Sequence, residues 1–214
     1  MDSRSLVKKA PLIVSIDDEL ELLIRPLGKG DKERVRRAYA MLSVESRMNR
    51  FWEKPAEMSD YRAESLTDVD HQDHVAWAAL PLEEGQLPGY AGGSFWRSRE
   101  HPEEAELAFT VADDFQRRGL ATLLFSVLWL EAWSIGIREF VGYARPGNEG
   151  MIRWWEGIGG DVLAGPYQAE LRWKLERPED FMNRVSFEMP PSLRRVEIAQ
   201  WMGNWLDELS EEEP

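Results

Sequence analysis

The stretch that most constrains this chain runs from Ala105 to Trp133, "AELAFTVADDFQRRGLATLLFSVLWLEAW". It opens on an alternating segment: Leu107, Phe109 and Val111 share one face of an extended strand, and Glu106, Ala108 and Thr110 share the other. A short polar loop follows. Beyond it, a segment that is apolar nearly all round from Gly119 to Ile135 predicts a deeply packed helix, ended by Gly136. A strand, a tight loop and a buried helix in that order require a mixed α/β core. They also make an anion site, because the first free amides of a helix point into the preceding loop and its dipole favours negative charge there. Gly119 lets the backbone come close to a phosphate, and Arg117 and Arg118 supply positive charge.

The rest of the chain fits that core. "ELLIRPLGKGD" reads as a strand ending at Pro26, then a glycine turn with Asp31 as a helix cap. Val35, Ala38, Tyr39 and Leu42 recur at helical spacing, and "VESRMNRFW" is a second helical piece stopped before Pro55. "HVAWAALPL" and "GYAGGSFWRS" form a hairpin, with Gly92 and Gly93 marking a bulge or a close backbone approach. "REFVGYA" and "AELRWKLE" are strands, and Asn148 caps a short helix between them. The expected organisation is an N-terminal segment over 1–18, one domain over 19–176 and a helical extension over 177–214 with an acidic tail. That extension packs onto the core, or it serves a homodimer or partner interface.

Composition removes several classes. The chain has 214 residues, no cysteine and a formal net charge of -13. No disulfide or thiolate chemistry is available to it, and a reducing cytoplasm is the expected setting. The acidic field repels phosphate backbones and anionic lipid, so neither nucleic acid nor membrane is expected as a partner, whereas a cationic substrate is. No apolar run reaches membrane-spanning length. "DHQDH" (Asp70, His71, Asp73, His74) carries metal-ligand residue types. No further cluster completes a site, so no metal is expected and a capping or substrate-side role is preferred. No G-x-G-x-x-G or G-x-S-x-G occurs, and "GKGD" at Gly28 lacks the spacing of a nucleotide P-loop.

The loop instead reads Q-x-x-G-x-A at Gln116, Gly119 and Ala121, and "N-x-x-M-x-x-x-W-x-x-x-G" follows from Asn148. With the strand before it, this resembles the GNAT family of acetyl-CoA-dependent N-acetyltransferases. "SRMNRFW", "LTDVDHQDHVAWAA" and "AELAFTVADDFQRRGLAT" together look like its bacterial protein lysine acetyltransferases, known for acetylating acyl-CoA synthetases. The resemblance implies a GNAT fold, a mixed and mostly antiparallel central sheet flanked by helices. It implies that Gln116, Arg117, Arg118, Gly119, Leu120, Ala121 and Thr122 hold the pyrophosphate of acetyl-CoA. It implies that backbone groups of Phe109, Thr110 and Val111 hold the pantetheine arm, and that Asn148 touches that arm.

Glu106 lies six residues before Ala112, so an extended strand sets the two roughly 20 Å apart, comparable to the reach of a pantetheine arm. A lysine-type amine has a pKa of about 10.4, so about one in a thousand is neutral near pH 7, and a carboxylate at the thioester would take its proton. The matching glutamate of the subgroup is the general base. Read without the family, Glu106 is a strand-end charge facing solvent or pairing with Arg97 or Arg99. Two departures stand out. Trp155 occupies the place of a tyrosine that protonates the leaving thiolate in many relatives, with Tyr143 on the neighbouring strand as a substitute or, more simply, a packed side chain. Gly160 replaces an aromatic residue, which would loosen the end of that helix. The reading is acetyl transfer to a primary amine, with a protein lysine favoured as acceptor. The alternatives are a small amine such as a polyamine, amino acid or aminoglycoside, and a non-catalytic acyl-CoA sensor.

Overall fold

The apolar alternation of the sequence organises eight strands into one sheet. The computed structural model describes residues 12–16, 20–52, 55, 57–82 and 88–177. In chain order these residues form β1 (Leu12–Ile16), β2 (Leu20–Pro26), α1 (Lys32–Met41), α2 (Val44–Phe51), α3 (Asp60–Thr67), β3 (His74–Pro81), β4 (Ala91–Arg97) and β5 (Glu104–Val111). There follow α4 (Leu120–Ser134), β6 (Glu139–Ala144), α5 (Glu149–Gly157), β7 (Asp161–Ala164) and β8 (Ala169–Lys174). The sheet order is β1-β2-β3-β4-β5-β6-β8-β7. Neighbours run antiparallel except β5 and β6, whose parallel pairing needs the crossover that α4 supplies.

β3 is buried along its whole length, so both faces of the sheet must be covered. Val75, Trp77 and Ala79 point into the main core with α4, while Ala76, Ala78 and Leu80 line the space beneath α1–α3. Leu107 and Phe109 belong to the α4 side, which leaves Glu106, Ala108 and Thr110 on the α1–α3 side, as alternation requires. α4 is apolar on every side because sheet and α5 enclose it. Around Phe125 stand Phe109, Trp129, Phe140, Trp154, Trp155 and Trp173, with ring centroids 4.6–6.2 Å away. Such pairs each add about 0.5–1.5 kcal/mol beyond area burial, so most of the tryptophans here are core residues.

The hairpin of β3 and β4 forms, and its register passes unbroken through Trp77↔Gly93 and Ala78↔Gly92. There is no bulge. Gly93 is instead a matter of space, since a Cβ there would fall 2.8 Å from the Phe109 ring and 2.9 Å from Leu128. The run Leu12–Ile16, placed ahead of the domain by sequence alone, is a strand of the sheet paired with β2. Asp31 does not cap α1 through its side chain. Its carboxylate accepts two bonds from Arg25, at 2.7 and 2.9 Å, and one from the Gly28 N–H at 3.0 Å. Burial disfavours the charged form of Asp31, but these donors outweigh it and hold the carboxyl below its usual pKa. The helical extension expected from residue 177 onward lies outside the described residues, except for Arg177 itself.

Candidate active site

β5 and β6 pair only through Glu104↔Glu139, Ala105↔Phe140 and Glu106↔Val141. β5 then continues to Val111 and β6 to Ala144 without further pairing to each other, so the sheet parts beyond Glu106. A cleft of about 570 Å³, open to solvent, lies along this part of β5. Phe109, Thr110 and Val111 form one wall, Asn148 and Met151 of the α5 segment another, and Gly119–Thr122 close the far end. That volume lies within the range of about 300–1,000 Å³ usual for ligand sites, and its course along β5 suits an extended ligand.

At the far end the backbone turns sharply. Arg117 (φ +62) and Gly119 (φ +86) both take the left-handed conformation, and Gly119 then starts α4. No side chain caps the first turn of α4, which leaves its leading amides directed into the loop. Arg117 lines the cleft. Arg118 does not, because its guanidinium sits 5.8 Å over the Phe115 ring. Thr122 is nearly buried and accepts the indole N–H of Trp154 at 3.0 Å, tying α5 to α4 behind the cleft.

Gln116 acts as a brace. Its Nε2 donates to Ser46 Oγ and to the Val111 carbonyl, both at 3.3 Å. Asp113, which sequence reasoning passed over, does more. Its carboxylate accepts from the Ser43 N–H (2.9 Å), Ser43 Oγ (2.7 Å) and Ser46 Oγ (2.8 Å). Partial burial works against its charge, but these donors prevail and set its pKa below the usual carboxylate value. The loop is thereby fastened to the start of α2. A carboxylate whose folded pKa is depressed stabilises above its unfolded pKa of about 3.9 and loses that contribution as pH falls through the lower folded value. Asp113→Asn therefore lowers the thermal midpoint at neutral pH, and the difference from wild type shrinks below about pH 4. Calorimetric melts across that range check this.

Glu106 lines a recess that adjoins the near end of the cleft and shares Arg50, Phe109, Asn148 and Met151 with it. Glu106 is exposed on β5, opposite Trp96 in register, and no described residue hydrogen-bonds or ion-pairs with it. Arg97 is occupied by Asp73 (3.1 Å) and by the carbonyls of Pro102 (2.6 Å) and Ile135 (2.8 Å), so the ion-pair alternative for Glu106 does not hold with that residue. The recess around Glu106 is also lined by Arg50, Tyr143, Asn148 and Trp155. Tyr143 is 41% exposed and so is not a packed side chain. Partial burial and the charges of Glu170 and Glu106 push its phenol up, which keeps it protonated at neutral pH. Asn148 spends its Oδ1 on capping α5, accepting the Met151 N–H at 3.3 Å.

Trp155 is 2% exposed and gives its indole N–H to the Arg172 carbonyl at 3.2 Å, so only an apolar edge faces the recess. Gly160 is what makes room for it. A Cβ at Gly160 would sit 2.1 Å from Trp155 Nε1. The helix end is not loosened, because the N–H groups of Gly159 and Gly160 bond back to Glu156 and Trp155 carbonyls at 2.9 Å. The two departures from the family pattern are thus one compensated pair.

"DHQDH" serves local structure. Asp70 Oδ1 accepts from the N–H groups of Gln72, Asp73 and His74, and His74 stacks on Trp96 with ring centroids 4.2 Å apart. Among the described residues no group of three or more His, Asp or Glu is placed to hold a metal ion, and no helix is long and apolar enough to cross a membrane.

A parted parallel strand pair, with an uncapped glycine-led helix at the far end of the cleft, fits the GNAT scaffold that the sequence resemblance implies. The family profile described as "Acetyltransferase (GNAT) domain" matches residues 21–161, and the chain belongs to that family of acetyl-CoA-dependent N-acetyltransferases. It is 34% identical over 139 residues to an acetyltransferase of Pseudomonas aeruginosa, covering 65% of this chain and 74% of that one. It is 30% identical over 150 residues to the acetyltransferase Pat of Mycolicibacterium smegmatis, covering 70% of this chain and 44% of that longer protein. Among solved structures, the GNAT domain of S. lividans PAT superposes with a TM-score of 0.70 at 26% identity, over 77% of this chain and 97% of that one.

Proposed function

We propose that this protein moves an acetyl group from acetyl-CoA to a protein lysine by direct attack, with Glu106 as general base. The observation that carries the reading is the position of Glu106, an uncommitted carboxylate where β5 and β6 part, in a recess adjoining the opposite end of the cleft from the uncapped start of α4. The amides of Gly119–Thr122, with Arg117, bind the diphosphate of the cofactor. Backbone groups of β5 between Phe109 and Val111 hold its arm as though it were an added strand. Asn148 orients that arm from α5, and the apolar edge of Trp155 closes the recess below it. Glu106 accepts the proton the acceptor amine must lose.

A lysine on a protein surface suits this recess better than a polyamine does. Glu106 is the one carboxylate among the residues lining it, whereas a small polycation needs several. The sequence resemblance to the bacterial protein lysine acetyltransferases points the same way, and the net charge of -13 suits a cationic acceptor of either kind. Incubating the enzyme and labelled acetyl-CoA with a lysate of its host tests this. Label enters protein with wild type and is lost with Glu106→Gln; label confined to small molecules contradicts the lysine acceptor.

A further inference from the structure

Arg50, on the last turn of α2, stands where three spaces meet: the cofactor cleft, the recess of Glu106 and the apolar space under α1–α3. It is the one cationic side chain among the described residues that lines all three. Its Nε is shut away from solvent with no hydrogen-bond partner. No described carboxylate pairs with its guanidinium, which lies 4.9 Å over the neighbouring Phe51 ring. Burial pulls this guanidinium down to about 10, against the opposing field of Glu106, and it stays charged at neutral pH. A half-buried cation with a buried, unbonded Nε and no ion-pair partner costs stability. In the folded protein the field of Glu106 offsets part of that cost without an ion-pair contact.

The reaction creates the missing anion. As the neutral amine nitrogen attacks the thioester carbon, a C–N bond forms and the carbonyl π pair moves onto oxygen. We propose that Arg50 donates hydrogen bonds to that oxygen as it becomes an oxyanion. The attacking nitrogen loses its proton to Glu106; the oxyanion then re-forms the carbonyl and the C–S bond breaks. The sulfur leaves as a thiolate, which takes up the proton from Glu106 or from water. A cationic donor already held at the recess before reaction stabilises developing charge with little reorganisation. Glu106 and the oxyanion would otherwise place two negative charges side by side, and Arg50 lines the recess that contains them.

The proposal rests on Glu106 marking the reacting end, and it is tested without any acceptor. The probe is S-(3,3,3-trifluoro-2-oxopropyl)-coenzyme A, whose ketone hydrates to a tetrahedral carbon. Its affinity relative to acetyl-CoA is measured by calorimetry for wild type, Arg50→Met and Arg50→Lys. Wild type prefers the probe, and that preference falls about 10- to 100-fold in Arg50→Met, the range for one hydrogen bond to a charged group. Acetyl-CoA binding is essentially unchanged, Arg50→Lys keeps part of the preference, and the thermal midpoint of Arg50→Met is no lower than that of wild type. An unchanged preference, or equal loss for both ligands, overturns the assignment. Retained turnover in Glu106→Gln refutes the base alone and leaves this result standing.

Discussion

Glu106→Gln lowers kcat for acetyl transfer by about 10²–10⁴-fold, the span that a positioned general base contributes, with acetyl-CoA affinity nearly unchanged. Glutamine keeps the size and reach of the side chain and loses the negative charge together with the ability to accept a proton. No described residue depends on Glu106 for a hydrogen bond or ion pair, so the substitution breaks nothing in the fold. The pH profile separates chemistry from structure. With the base gone, turnover relies on amine that is already neutral, so the variant's rate climbs about tenfold per pH unit toward the lysine pKa of about 10.4. Wild type levels off earlier. A variant within a few-fold of wild type at pH 7, with a parallel profile, shows that Glu106 is only a strand-end charge.

Gly160→Ala has the largest expected effect on stability. Its Cβ would overlap Trp155, 2.1 Å from Nε1 and 2.3 Å from Cδ1, and the indole has nowhere to go. Trp155 is 2% exposed, bonded to the Arg172 carbonyl and edge-on to Trp173 and Phe125 at 6.0 and 6.1 Å. Overpacking of this kind costs about 1–3 kcal/mol, or roughly 2–12 °C in Tm for a chain of this size. Trp155→Phe removes Nε1, the nearest colliding atom, and leaves a smaller ring that can shift. Gly160→Ala therefore costs less in that background, and the double-mutant cycle gives a coupling above about 0.5 kcal/mol. Additive effects would mean that the two residues do not share one space. The consequence reaches the site, since the Trp155 edge forms the floor of the recess beside Glu106.

The sequence was most readable where a period or a motif ran long. The alternation of Glu104–Val111 and the all-apolar run of α4 specify strand, loop and helix, and the loop glycine takes the positive φ that its position demands. Less readable were elements that gain their form from neighbours. β1 and β7 are short and lie toward the two edges of the sheet, where ladder partners rather than local periodicity define a strand. Asp113 gave no signal because its bonds go to Ser43 and Ser46, 70 and 67 residues away. Arg50 gave none either, because its position depends on how α2 lies against β5. Tyr143 and Gly160 were read from typical behaviour, as a packed side chain and as a loosened helix end. The tertiary surroundings reverse both readings, by exposing the one and filling the space above the other.

The most direct measurement is a crystal structure of the protein with coenzyme A bound. The account predicts the diphosphate on the amides of Gly119–Thr122, the arm beside Phe109–Val111, and the sulfur within reach of both Glu106 and Arg50. A diphosphate bound elsewhere, or a sulfur separated from Glu106 by protein, would contradict it.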